Sequence, residues 1–291
     1  MGAALLAKHK GYDCFVSDGG QLKAHFAQEL EEAGIAYEAG QHTAAHVLEA
    51  DVIVKSPGIP NEAPLVQKAM QAGIQVISEI EFGYRHCTGK CIGITGTNGK
   101  TTTTALTYHI LKQAGLDVGV GGNIGQSFAR QLIDYQPAYW VLEVSSFQLD
   151  NIDTFRPYIG MILNITPDHL DRYNNDFQQY VAAKFRLLKN QQPGDYFIYS
   201  LDDTTITQRL QTINSQSTHR PFSLTHEVAE GAYLKDEQII INHQQNAFTM
   251  SIHDLALQGK HNQNNSMAAG IAARILEIRK DNFRDSLFDF K

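Results

Sequence analysis

The chain predicts an α/β protein built in two parts, and three observations carry that reading. Helix-like and strand-like stretches alternate from the first residues onward, a pattern that builds parallel sheets covered by helices. From residue 90 a strand-like run feeds a glycine-bearing loop that ends in Lys-Thr. The chain has 291 residues, of which 43% are hydrophobic, enough for two domain cores and the start of a third domain.

In the first part, residues 2–10 read as a helix closed by Gly11, and 13–18 as a strand with Cys14, Phe15 and Val16 at its apolar centre. Residues 21–33 form a second helical pattern, with Gly34 placed to cap its end. Residues 51–55 (Asp-Val-Ile-Val-Lys) read as a short buried strand leading into the turn Ser56-Pro57-Gly58. A helix over 62–72 and a strand over 75–77 follow. A Rossmann-type unit normally opens with a strand and a glycine-rich turn, whereas this chain starts inside the first helix. A parallel sheet without a central strand would expose unpaired edges, so the chain is expected to be a piece of a longer protein.

The second part begins near Gly89. Residues 90–94 read as a strand, 100–113 as a helix, and 139–143, 159–164 and 196–199 as further strands. Helices are expected at 177–189 and 262–278. Residues 231–250 alternate and contain turn residues, which predicts short antiparallel strands. Residues 281–291 read as a stub with no core of its own.

Composition excludes some roles. With 31 acidic against 24 basic residues the formal net charge is −7, so a general nucleic-acid binder is not expected. A few backbone N–H groups and one lysine still hold a phosphate inside an acidic protein. The three cysteines, Cys14, Cys87 and Cys91, lack metal-type spacing and are expected to be reduced and mostly buried. No apolar run has the length of a membrane span, and the opening residues are too few for a signal-peptide core. A soluble, cytoplasmic monomer without membrane or nucleic-acid partners is expected.

The strongest local signal is Gly93-Ile-Thr-Gly96-Thr-Asn98-Gly99-Lys100-Thr101. Strand, glycine loop, then Lys-Thr at a helix start is how a P-loop is built, with backbone N–H groups and the helix dipole facing a polyphosphate. Gly96, Thr97, Asn98, Gly99, Lys100, Thr101 and Thr102 are the expected ATP contacts. Lys100 would reach the terminal phosphates, and the Thr101 hydroxyl would ligate Mg²⁺. The spacing departs from strict G-x-x-x-x-G-K-T, which needs glycine where Ile94 stands.

The variant Gly-Thr-Asn-Gly-Lys-Thr resembles the Mur ligase and folylpolyglutamate synthetase superfamily. Three further segments, in the family's order, narrow the resemblance. Glu143-Val-Ser145-Ser146-Phe147-Gln148-Leu149 looks like the signature of the D-glutamate-adding Mur ligases. Asn164-Ile-Thr-Pro-Asp168-His169-Leu-Asp171 is similar to the superfamily's Asn-x-x-x-Asp-His-x-Asp. Gly259-Lys-His261-Asn262-Gln-Asn-Asn265 resembles its adenine-side segment.

The resemblance implies roles, each beside a plainer reading. Glu143, at a strand end, would ligate Mg²⁺, and is otherwise a surface carboxylate. His169 would ligate a second Mg²⁺, and Asp168, Asp171 and Arg172 beside it suggest a charged site. Lys184, in Ala182-Ala-Lys-Phe-Arg, is similar to a family lysine that becomes carbamylated; without the resemblance it is a lysine on an amphipathic helix. Asn123, Ser145, Ser146 and Gln148 would contact the muramoyl-alanine end of a substrate, and Gly-Gly-Asn123 is also a turn. Asn262 and Asn265 would lie at the adenine, with helix N-capping the alternative for Asn262. Asp18, Ser56, Pro57 and Gly58 would contact a uridine diphosphate.

The fold class expected is therefore α/β. Residues 1–88 form a Rossmann-like N-terminal domain with its first strand missing, and 89–279 a P-loop central ATPase domain with a mostly parallel sheet. Residues 280–291 start a C-terminal domain. The resemblance implies a two-step ligation with UDP-N-acetylmuramoyl-L-alanine, D-glutamate, ATP and Mg²⁺: carboxylate attack on the γ-phosphate gives an acyl phosphate, which the amine then displaces. Lys100, Lys184 and His169 are the residues expected to act in catalysis. A chain without the closing third domain is expected to bind substrate poorly and not to complete ligation unaided.

Overall fold

A computed structural model describes residues 1–290. Two compact units make up the chain. The first holds Met1–Cys87, Gln126–Gln136 and Asp150–Phe155, and the second Thr88–Gly125, Pro137–Leu149 and Arg156 onward. The two later segments of the first unit are excursions from stretches that the sequence reading placed wholly in the second part.

The first unit runs α1 (Gly2–His9), β1 (Phe15–Asp18), α2 (Ala24–Glu32), β2 (Ala36–Ala39), α3 (Ala44–Leu48), β3 (Val52–Lys55), α4 (Pro64–Gln71), β4 (Gln75–Ser78) and α5 (Glu79–Arg85). The expected alternation is present, with β2, α3 and α5 added. The strands form two separate parallel pairs, β1 with β2 and β3 with β4, and no strand among the described residues joins them. Val66, Ala69 and Val76 form a small core under α4, joined by Ile53 and Ile74.

Residue Ser78 caps α5, its Oγ accepting from the Glu81 N–H at 3.3 Å. From this helix two carboxylates grip the excursions. Glu79 accepts Ser127 Oγ at 2.6 Å and the Ala129 N–H at 2.7 Å. Burial raises the Glu79 carboxyl above the usual range, against the pull of these two bonds. Glu81 is fully buried and accepts the N–H groups of Asp153, Thr154 and Phe155, the Thr154 hydroxyl and Arg85 Nε. Burial pushes Glu81 up, but these donors outweigh it and leave the group below the usual carboxylate range.

The second unit is organised around one nine-stranded sheet. Its elements are β5 (Lys90–Thr95), α6 (Lys100–Gln113), β6 (Val118–Gly122), then, after the excursion helix α7 (Phe128–Gln131), β7 (Tyr139–Glu143), α8 (Ser146–Leu149) and β8 (Ile159–Ile162). There follow α9 (Phe177–Phe185), β9 (Tyr196–Ser200), α10 (Thr204–Leu210), β10 (Thr218–Ser223), β11 (Gly231–Lys235), β12 (Gln238–His243), β13 (Asn246–Ser251), α11 (Lys260–Ile275) and α12 (Lys280–Asp289). The spatial order is β13-β12-β11-β10-β9-β8-β5-β7-β6. From β6 to β11 neighbours are parallel, and β12 alone runs the other way, antiparallel to both β11 and β13, in keeping with the antiparallel strands that the alternation over 231–250 predicted.

Strands covered on both faces carry continuous apolar runs, and β8 (Ile-Gly-Met-Ile) is buried at every residue. Helices α6 and α11 pack on each other and on the sheet. The run Ala268-Ala-Gly-Ile-Ala-Ala273 is buried, and its small side chains let α11 approach closely. Gly119 lies opposite Trp140 in the register, and a Cβ there would meet the indole ring at 2.6 Å.

The C-terminal stretch builds no core of its own but joins the main one. Residues 280–289 form a helix with Phe283 fully buried and Leu287 at 3% exposure, both part of the main core. The Phe283 and Phe248 rings lie 4.7 Å apart. Periodicity over so short a polar stretch does not show that two apolar residues find a pocket already lined by β13. The Phe283→Ala change should therefore lower stability by about 3 kcal/mol in urea denaturation; a loss within about 0.5 kcal/mol, typical of a surface position, would mean that α12 is only loosely seated.

Candidate functional site

The central strands β5, β6, β7 and β8 end on one edge of the sheet, and their carboxyl ends carry the site. In parallel α/β sheets this edge collects ligands because the loops leaving neighbouring strands diverge there. Here β5 delivers the glycine loop 96–99, β6 delivers Gly122-Asn123, β7 ends in Glu143, and β8 leads to Asn164.

Gly99 has φ +82°, a left-handed conformation that suits glycine, and turns the chain into α6. A Cβ there would also meet Asn265 Oδ1 at 2.6 Å. Lys100, the first residue of α6, folds back over the loop, and its Nζ donates to Gly96 O at 2.9 Å and Thr97 O at 2.8 Å. Lys184 reaches the same loop from α9 and donates to Gly96 O at 2.9 Å. Two ammonium groups therefore share one carbonyl. Burial lowers Lys100, while Glu143 and Asp168 hold it up. Burial first, and the Lys100 charge second, bring Lys184 down to about 7.

That displacement has a measurable consequence. Between about pH 7 and the ordinary lysine value of 10.5 the unfolded chain holds a proton at Lys184 that the folded chain has lost. Stability should therefore rise with pH through that window, and the penalty should be complete below it. Urea denaturation of the wild type and of Lys184→Met across the window checks this. The variant should show the shallower slope, and equal slopes would remove Lys184 as its source.

Beside the lysines, Thr101 Oγ1 donates to Glu143 Oε2 at 2.8 Å, and Asn123 Nδ2 donates to Glu143 Oε1 at 2.8 Å. The Asn123 N–H also reaches Glu143 O at 2.9 Å. Gly122, at φ +99°, permits this crossing, since a Cβ would collide with the Glu143 carbonyl. Glu143 is 2% exposed, so it is no ordinary surface carboxylate.

Other predicted residues have local partners. Ser145 and Gln148 bond each other: Gln148 Oε1 accepts the Ser145 N–H and hydroxyl at 3.0 Å, and Ser145 Oγ accepts the Gln148 N–H at 3.3 Å. This is a capping box that starts α8, with Ser146 buried beside it. His169, at φ 51°, is exposed, with Nε2 3.6 Å from Asp168 Oδ2 and its ring 5.4 Å from that of Phe147. Thr102 follows Thr101 in the first turn of α6. Asn262 is not an N-cap, because α11 begins at Lys260 after Gly259; its Nδ2 donates back to Gln258 O at 2.9 Å. Asn265, 5% exposed, donates to Asn262 Oδ1 at 3.3 Å. Among the described residues no group of three His, Cys, Asp or Glu side chains is arranged to hold a metal.

In the first unit, Asp18 ends β1 and its Oδ1 accepts the Gly20 N–H at 2.8 Å. Ser56, Pro57 and Gly58 form the turn after β3, where Ser56 O accepts the Ile59 N–H at 3.1 Å. Both stand at carboxyl ends of strands. The three cysteines are free thiols, and of them only Cys91 is buried. No helix among the described residues is long and apolar enough to cross a membrane.

Tyr180 was not singled out from sequence. Its hydroxyl lies 3.2 Å from Thr97 Oγ1, and its ring sits 4.6 Å from Lys184 Nζ. The signal was available: Tyr180 and Lys184 are four apart on one helix and so share a face.

The strand, the glycine loop and the lysine and threonine that open α6 define an α/β domain of the phosphate-loop class. Within that class the chain belongs to the Mur ligase family: the profile of the Mur ligase middle domain matches residues 94–273, and that of the MurD-like N-terminal domain matches 4–78. The UDP-N-acetylmuramoylalanine–D-glutamate ligase of Christiangramia forsetii is 46% identical over 291 residues, and that of Bacteroides fragilis 49% over 290. Each alignment covers 100% of this chain and 65% of the relative, so the chain spans about two thirds of the length of these curated relatives. Among solved structures, the UDP-N-acetylmuramate:L-alanyl-gamma-D-glutamyl-meso-diaminopimelate ligase of Neisseria meningitides superposes with a TM-score of 0.67 at 21% identity, covering 100% of this chain and 94% of that one. The UDP-N-acetylmuramate-alanine ligase of Thermotoga maritima gives 0.58 at 19%, covering 99% and 65%. At such identities the likeness speaks for the fold.

Proposed function

We propose that the chain carries the ATP-binding and acceptor-binding parts of a ligase that joins D-glutamate to UDP-N-acetylmuramoyl-L-alanine through an acyl phosphate. The observation that carries this reading is the convergence, at one sheet edge, of Lys100 and Lys184 on the loop carbonyl Gly96 O beside the Thr101–Glu143–Asn123 cluster. Substrate choice rests on the 46% and 49% identity to ligases with that name, together with Ser145-Ser146-Phe147-Gln148.

The first step transfers a phosphoryl group between two anions, so its chief demand is charge neutralisation and alignment. Lys100 would turn from Gly96 O and Thr97 O to terminal phosphate oxygens. The donor set beside it fits Mg²⁺: the Thr101 hydroxyl and the Glu143 carboxylate are hard oxygens already 2.8 Å apart. Bound there, Mg²⁺ would neutralise phosphate charge. As an ammonium, Lys184 fits no metal, and it would join His169 in holding a second ion only after conversion to an anionic carbamate. Asn123 and Asn265 supply amides for the acceptor and the nucleotide.

Incubation with Mg-ATP and UDP-N-acetylmuramoyl-L-alanine, without and then with D-glutamate, tests the reading when ADP and the nucleotide product are followed by mass. ADP release that depends on the acceptor, or product carrying one added glutamate, supports it. Release that depends instead on a folate would overturn the acceptor assignment.

A further inference from the structure

We infer that Asn164 is a positioning residue that sets the shape of the phosphate loop; the inference rests on the nucleotide reading above. Its carboxamide pairs with both backbone polar groups of a single loop residue. Asn164 Oδ1 accepts the Asn98 N–H at 2.8 Å, and Asn164 Nδ2 donates to Asn98 O at 2.9 Å. A primary amide presents a donor and an acceptor in one plane, so it closes this ring as a neighbouring strand would. The partners fix its orientation, because an N–H needs the oxygen and a C=O needs the nitrogen.

The surroundings reinforce the clasp. The Thr97 N–H donates to Asn164 O at 2.9 Å. Thr97 Oγ1 donates to Thr166 O at 3.1 Å and accepts the Thr166 N–H at 3.0 Å. A Cβ on Gly96 would come within 3.1 Å of Leu163 Cβ and 3.4 Å of Asn164 N, so the loop lies directly on this segment. Residues 163–166 thus form a rail along one side of the loop, and Asn164 is its side-chain contact to Asn98.

The clasp decides which N–H groups face a phosphate. Asn98 is among the ATP contacts expected from sequence, yet its N–H is committed to Asn164. The N–H groups that follow, at the start of α6, are left to the ligand. Without the clasp the peptide at Asn98 can rotate and the donor array loses its register. Aspartate in place of Asn164 keeps the acceptor but loses the donor to Asn98 O, and it brings negative charge toward the phosphates.

Because Asn98 is exposed and Asn164 only half-buried, water can replace these bonds in the ligand-free protein. Asn164→Ala should therefore leave the melting temperature nearly unchanged. It should weaken Mg-ADP binding about ten-fold by calorimetry and speed exchange of the Asn98 amide by a similar factor. Asn164→Asp should bind Mg-ADP more weakly still while partly restoring Asn98 protection. Unchanged Mg-ADP affinity in Asn164→Ala would overturn the assignment, as would a fall in melting temperature matching the affinity loss, which marks a merely structural residue. A wild-type protein that does not bind Mg-ADP would overturn the nucleotide reading itself, and this inference with it.

Discussion

Replacing Glu81 with alanine should cost the first compact unit about 3–5 kcal/mol, the range for breaking a buried charged network by removing one partner. The side chain is fully buried and takes the N–H groups of three successive residues, Asp153, Thr154 and Phe155, together with the Thr154 hydroxyl and Arg85 Nε. Alanine would leave those donors without their shared acceptor, and of the three residues Phe155 is fully buried. The excursion Asp150–Phe155 would lose its chief anchor and keep the Ser78 N–H to Asn151 O bond at 2.8 Å, Gln75 Nε2 to Asp153 Oδ2 at 3.0 Å and Asn151 Nδ2 to Val76 O at 3.5 Å. Glu81→Gln should fall between wild type and alanine, because a carboxamide keeps one acceptor and sets an N–H against the donors. The folded carboxylate lies below its ordinary value, so its contribution is present above that value and is lost as pH falls through the depressed one. Urea denaturation read together with amide exchange at 153–155 measures the effect. A loss below about 1 kcal/mol, the worth of one neutral hydrogen bond, would show that the excursion is held by packing.

The second large effect is expected at Lys100. Lys100→Met keeps the length and removes the charge, and on the proposed function should lower acceptor-dependent ADP release by about 10³-fold, the scale for losing a charge-stabilising group in phosphoryl transfer. Nucleotide affinity should fall less, because the loop N–H groups and the dipole of α6 remain. In the ligand-free protein the same change should raise the Lys184 pKa, since Lys100 is the second cause of its depression after burial. Titration of a labelled Lys184 methylene in both proteins reads this directly. An unmoved Lys184 would mean that burial alone lowers it.

Much of the architecture was legible because it rests on local pattern. The runs at 90–94, 139–143 and 159–162 belong to strands buried on both faces, which need continuous apolar residues whatever their neighbours. The loop 96–101 was legible because a phosphate site made of backbone demands glycine and Lys-Thr in sequence. Strand β6 was missed because glycines fill three of its five positions and Gly-Gly-Asn123 reads as a turn, yet Gly119 is there for the ring of Trp140 and Gly122 for the carbonyl of Glu143. Strand β10 was missed because Thr218-His-Arg-Pro-Phe-Ser223 is largely polar, and its pairing with β9 and β11 outweighs its weak strand propensity.

The site divides along the same line. Lys100 and Thr101 were legible as candidates in the glycine-loop pattern, whereas Glu143, His169 and Lys184 were candidates only through the resemblance to a family. Which of them meet was decided only by tertiary structure. Lys184 and Gly96 are 88 residues apart, yet share a hydrogen bond because α9 lies across the end of β5. Asn164 and Asn98 meet because β8 lies beside β5, and all the donors to Glu81 except Arg85 lie 72 to 74 residues away. Sequence alone determined the periodicities and the phosphate loop, since those follow from backbone geometry within a few residues. Buried charges and amides find their partners only when the sheet closes, because desolvation makes an unpaired polar group costly and the nearest donor in space need not be near in sequence.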